Sequence, residues 1–174
     1  MNAKEKQKTA IEQACEDLFN YAIERGDIKW LVAQLPKETK VKPTAVEYEL
    51  QILKIVSVGW GISFYLDGTP KRKRILMELY WNATNGFSKQ LSEATGLMIG
   101  QDIDYFEILK ERLDQYVQAM SADPQATDPT VMIGPAFAKA CGDEKDIFAS
   151  MAGAKLFANS IARVREYLEA VKLR

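Results

Sequence analysis

Leu50–Leu66, LQILKIVSVGWGISFYL, decides how this chain is read. From Val56 to Phe64 the large residues Val56, Val58, Trp60, Ile62 and Phe64 alternate with Ser57, Gly59, Gly61 and Ser63. Alternation with period two is the mark of a half-buried strand, and each glycine costs a helix about 1 kcal/mol. A strand, however, needs ladder partners, and no other segment offers a matching pattern. Upstream, Thr44-Ala45-Val46-Glu47 has the form of a capping box, in which threonine and glutamate reciprocally satisfy the first N–H groups of a helix. The segment is therefore read as helix, with Gly59 and Gly61 placed where another helix or a ligand approaches the backbone closely. Its 17 residues include Gln51, Lys54, Ser57 and Ser63, too short and too polar for a membrane span, so it is a core element.

Outward from this stretch the signals are helical throughout. Ile11, Cys15, Leu18 and Ala22, widened by Phe19 and Ile23, form a first apolar stripe closed by Gly26 as a C′ residue. Asp27 then caps a short helix with Trp30, Leu31 and Leu35, which Pro36 stops. Residues 36–43, PKETKVKP, read as a charged linker between helices in 1–35 and a core bundle in 44–174, the whole forming one domain.

Past an Asp67-Gly68 turn, Thr69-Pro70 starts a fourth helix with Ile75, Leu76, Leu79, Tyr80, Ala83 and Phe87, ending near Gly96. A fifth, after Gly100, carries Ile103, Phe106, Leu109, Leu113, Tyr116, Val117 and Met120 on one face. Asp128-Pro129 opens a short helix over 130–140. Asp143 caps the last, whose stripe is Ile147, Met151, Ala154, Ala158, Ile161, Val164, Leu168 and Val171. Six or seven helices joined by short loops predict an all-α, compact bundle.

Composition narrows the function classes. With 47% hydrophobic and 27% charged residues the chain has enough apolar surface to fold. A net charge of −1 implies no general electrostatic attraction to nucleic acid or anionic membrane. The absence of histidine removes Ser–His and Cys–His dyads, imidazole metal ligands and acid–base switching near neutrality. No catalytic residue, metal site or cofactor is assigned. Cys15 and Cys141 sit among apolar neighbours and read as small core residues rather than reactive thiols. Met1 to Lys8 is polar, so no secretory signal is expected, and the protein is placed in the cytoplasm.

Four features invite a functional reading. Lys71, Arg72, Lys73 and Arg74 stand in the first helical turn, where the macrodipole is already positive; the cluster suits a phosphate or carboxylate. The plainer reading is a solvated corner, or pairing with the acidic fifth helix. Asp104, Glu107, Glu111 and Asp114, at spacings of three and four, share one face opposite the apolar stripe and should meet water rather than a metal. Trp60, Tyr65, Tyr80 and Trp81, close to Gly59, Gly61 and Asn82, would line a ligand pocket or serve as core. Small residues along the last helix (Ala149, Ser150, Ala152, Gly153, Ala154, Ala158, Ser160, Ala162) allow close packing within the chain or across a two-fold axis.

The favoured reading is a non-catalytic binding or scaffolding protein that forms a homodimer or grips a protein partner. The alternatives are anion or nucleic-acid binding at 71–74, nucleic acid being the less favoured partner, and an enzyme or small-molecule sensor with a pocket at Trp60 and Trp81. No membrane association is expected.

Overall fold

The computed structural model describes residues 8–66, 70–125 and 127–173. Among them it shows seven helices and no strand: α1 (Ala10–Ile23), α2 (Gly26–Ala33), α3 (Pro43–Tyr65), α4 (Pro70–Ile99), α5 (Tyr105–Ser121), α6 (Thr130–Cys141) and α7 (Ile147–Val171). The expected turn at Asp67-Gly68 and the Thr69 cap lie outside the described residues. None of the helices is long and apolar enough to cross a membrane, among the described residues.

The ambiguous stretch is helix, and its environment explains its pattern. α3 runs through the middle of the bundle and touches all six other helices, so residues 52–59 are buried on every side. A helix enclosed all round has no polar face to mark its period. Its small residues instead mark where neighbours come closest. A Cβ at Gly59 would stand 2.6 Å from the Trp81 ring, and one at Gly61 would stand 2.8 Å from Val164 Cγ1. Ser57 turns its hydroxyl onto the Leu53 carbonyl at 2.6 Å, which lets it sit in the core without a partner on another helix.

Two charged side chains are carried into this core. Lys54 Nζ, fully buried, donates to the Glu24 carbonyl and to Asp27 Oδ1, both at 2.8 Å, and lies 4.3 Å from the centre of the Tyr21 ring. It thereby pins the α1–α2 corner to α3. Glu49 receives Arg112 of α5 through two N–H donors, Nε and Nη2, each at 2.8 Å. That planar two-bond geometry is the strongest form of an ion pair.

Several helix boundaries depart from the sequence reading. Gly26 is not a C′ residue: its φ is not positive, Glu24 Oε1 accepts its N–H at 2.7 Å, and it opens α2. Arg25 is the N-cap there, and Asp27 lies inside the first turn. α3 starts at Pro43 with Lys42 as N-cap, and Glu47 bonds Arg25 rather than closing a box with Thr44. The capping box belongs to α1, where Thr9 Oγ1 accepts from Glu12 N–H and Thr9 N–H donates to Glu12 Oε2. Gly96 remains helical, and α4 ends three residues later at Ile99, stopped by Gly100 with its φ of +66°.

The last helix is capped by Asp146, not Asp143. Asp146 Oδ1 takes the N–H groups of Phe148 and Ala149 at 3.0 Å, while Oδ2 takes those of Lys40 and Val41 at 2.6 and 3.1 Å. The 36–43 stretch is thus tied to the start of α7, with Val41 buried beneath it. Burial alone would raise the Asp146 pKa, but the four backbone donors outweigh it and hold the carboxyl below its ordinary value. A carboxyl depressed in the folded state contributes stability that is present above the unfolded pKa and lost as pH falls through the folded one. Asp146→Ala is expected to cost about 2 kcal/mol at neutral pH and to flatten the loss of stability below about pH 4. Urea titrations at a series of pH values check both; an unchanged acid limb would show that the carboxylate does not act this way.

Candidate functional site

The basic run opens α4 as expected, but the bundle uses part of it. Arg72 Nη1 donates to the Leu173 carbonyl at 3.1 Å, joining the start of α4 to the end of α7. Arg74 lies 3.7 Å from Glu78, one turn along its own helix. Among the described residues no ion pair joins 71–74 to α5, and these local contacts stand where pairing with the acidic helix was expected. Lys71 and Arg74 are exposed, and Lys73 is half-buried.

Trp60, Tyr65, Tyr80 and Trp81 do not converge on one space. Tyr80 is fully buried, donates its hydroxyl to the Ile55 carbonyl at 2.7 Å and meets Trp81 edge-on. Its phenol pKa is driven far upward by burial. Trp60 packs instead against Phe64 and edge-on against Phe157, and Tyr65 lies beneath the Arg165 guanidinium, 5.9 Å from ring centre. An aromatic-lined cavity does occur in the protein, but it lies under Tyr48 and Tyr105.

The acidic face behaves as read. Asp104, Glu107, Glu111 and Asp114 are all exposed; Asp104 caps α5 through Glu107 N–H, and Glu107 pairs with Lys110. Both cysteines are free and buried, and burial raises both thiol pKa values, Cys141 to about 12. That makes each a poor nucleophile at neutral pH.

The α7 stripe is rotated from its expected position. Ala149, Ala152, Gly153, Leu156, Phe157, Ser160, Val164 and Leu168 face inward, whereas Ile147 and Met151 are exposed. Shape sets this choice, because the small residues admit α6 and α3 at close range. A Cβ at Gly153 would meet Phe137, and one at Gly134 would stand 2.9 Å from the Ser150 carbonyl. Ala149, Ala152, Gly153 and Ser160 are therefore spent inside the chain, while Ser150, Ala154 and Ala162 are half-buried and Ala158 is exposed.

The exposed apolar surface lies elsewhere. α4, at 30 residues, is about 45 Å long, and its last buried residue is Ser88. Ser92 and Thr95 still reach Tyr105, through its N–H and its hydroxyl, both at 3.2 Å. Beyond them the helix overhangs, and Leu97, Met98 and Ile99 are 90%, 83% and 57% exposed. A second patch forms where Trp30 of α2, with Lys155 over its ring, stands beside Met151. The α4 overhang had a sequence signal. Three consecutive large apolar residues sweep about 200° of a helix and cannot all face one core.

The chain matches no protein-family model, no curated protein and no solved structure. Fold and surface together define an all-α bundle built around one enclosed central helix, with an apolar helix end standing clear of it.

Proposed function

We propose that the chain is a non-catalytic helical interaction module that pairs with a second copy of itself through the overhanging end of α4. The observation that carries this reading is the Leu97–Met98–Ile99 turn, three large apolar side chains exposed together at the tip of a helix. Fully burying such a side chain contributes about 1.5–3 kcal/mol, and a two-fold contact buries on both copies whichever of the three face the axis. Association costs about 4–15 kcal/mol, so the contact is expected to be reversible. Two buried, unpaired thiols suit a reducing compartment, which supports a cytoplasmic location.

Sedimentation velocity across a wide concentration range tests the reading. The wild type is expected to shift from monomer to dimer, and Leu97→Asp/Met98→Asp to remain monomeric with an unchanged helical circular dichroism spectrum. A wild type that stays monomeric at the highest concentration, or a variant that still dimerises, would overturn it.

A further inference from the structure

A cavity of about 190 Å³ opens beneath the α4–α5 hairpin, floored by Ile52 and Ile55 of α3 and walled by Phe87, Ser88 and Leu109. It far exceeds the 10–15 Å³ that one water needs and falls below the 300–1,000 Å³ of drug-sized sites. Its origin is a small polar residue at a core position. Ser88 is 1% exposed, at a place where a bundle helix ordinarily presents a large apolar side chain. Its hydroxyl donates to the Thr84 carbonyl at 2.8 Å, so the serine is satisfied within α4 and fills nothing. Unfilled core volume costs stability.

The mouth is chemically unlike the floor. Arg25, Tyr48 and Tyr105 stand around it, a guanidinium and two phenols, all capable of donating hydrogen bonds. Burial, followed by the neighbouring Tyr105 and Glu49, raises the Tyr48 hydroxyl pKa to about 12, so it remains a donor at any physiological pH. The Arg25 guanidinium is held by Glu47 at 2.5 Å in a pair whose side chains are both substantially exposed. Such a pair is weak, about 0–1 kcal/mol, and exchanges its carboxylate readily.

From the apolar floor, the donor-lined mouth and the serine that keeps the space open, we infer that this cavity is a binding site for a small amphipathic monocarboxylate. The apolar body lies on Ile52, Ile55 and Leu109, and the carboxylate takes the place of Glu47 on Arg25 and accepts from Tyr48. This site is separate from the α4 tip, so Leu97→Asp/Met98→Asp is expected to bind as the wild type does.

Octanoate, with octanol as its uncharged counterpart, is the probe, followed by calorimetry and by methyl NMR of the full chain. Saturable octanoate binding should shift the Ile52, Ile55 and Leu109 methyl signals. Ser88→Leu fills the space; it should raise Tm and weaken octanoate at least tenfold. Leu91→Trp narrows the mouth from an exposed position and should weaken it likewise even if Ser88→Leu folds poorly. Arg25→Gln should weaken octanoate about tenfold, as expected for loss of a charge-assisted bond, and leave octanol unchanged. Absence of saturable binding, methyl shifts confined to Leu97 and Ile99, or octanoate binding indifferent to Leu91→Trp or Arg25→Gln would overturn the assignment.

Discussion

Arg112→Met is expected to destabilise the protein by about 3–5 kcal/mol, while Glu49→Leu/Arg112→Met is expected to be at least as stable as the wild type. The two parts follow from one geometry. Glu49 is enclosed by α3 and α5, its side chain 5% exposed, and both its oxygens are satisfied by Arg112 at 2.8 Å. Removing the guanidinium strands a carboxylate in a low-dielectric setting where water cannot replace the lost donors. Removing both charges also removes the cost of having desolvated them, and two apolar side chains of similar length fill the same space.

Three observations around the pair sharpen this expectation. Burial, with Glu49 next in effect, drives the Tyr116 phenol pKa far upward, and the Tyr116 hydroxyl is buried with no hydrogen-bond partner among the described residues. The Glu49 hydrogen bond raises the Arg112 pKa, so the guanidinium is charged at every accessible pH. The site therefore already holds one unmet polar group, and an apolar replacement adds none. Urea denaturation of the two variants decides the matter. A double variant less stable than the wild type would show that the pair contributes net stability.

Gly153→Ala is the second large effect, at about 3 kcal/mol of destabilisation. An added Cβ would stand 2.5 Å from Phe137 Cδ1 and 2.7 Å from Phe137 Cβ. Phe137 is fully buried where α6 packs against α7. The methyl is accommodated only by displacing Phe137 or separating the two helices, either of which costs close packing. Gly86→Ala is the matched control. A Cβ there meets nothing within 4 Å, so the substitution should stabilise α4 by about 0.5–1 kcal/mol through helix propensity alone. Thermal and urea denaturation of both variants should give opposite signs. Equal behaviour would mean that α6 and α7 are not packed through Gly153.

The same seam shows why an interaction surface could not be located from residue types. The small residues of α7 suit a dimer contact and an internal one equally well, and the internal one has taken Ala149, Ala152, Gly153 and Ser160. The surface that remains is on α4. The run Leu97-Met98-Ile99 signals it in the sequence, but only with Gly100, rather than Gly96, ending the helix do the three stand on its last turn. The cavity under Tyr48 and Tyr105 was hidden for another reason. Its walls come from α3, α4 and α5 with Arg25 at the α1–α2 corner, and no short stretch contains its pattern.

The sequence by itself determined that this protein is a helical bundle and roughly where most helices lie. Those signals act over a few residues: Pro36 stops α2, Gly142 at φ +114° ends α6, Asp104 caps α5. Tertiary structure decided the choices that such signals leave equal. Asp143 and Asp146 are both good caps three residues apart. Asp146 is selected because it also receives Lys40 and Val41, more than a hundred positions away in the chain. Tertiary structure likewise decided which face of α7 turns inward, and why α3 alternates without being a strand. Local chemistry depends on neighbours in sequence, whereas burial depends on which surfaces fit without voids or overlap, and that fit exists only when all seven helices are in place.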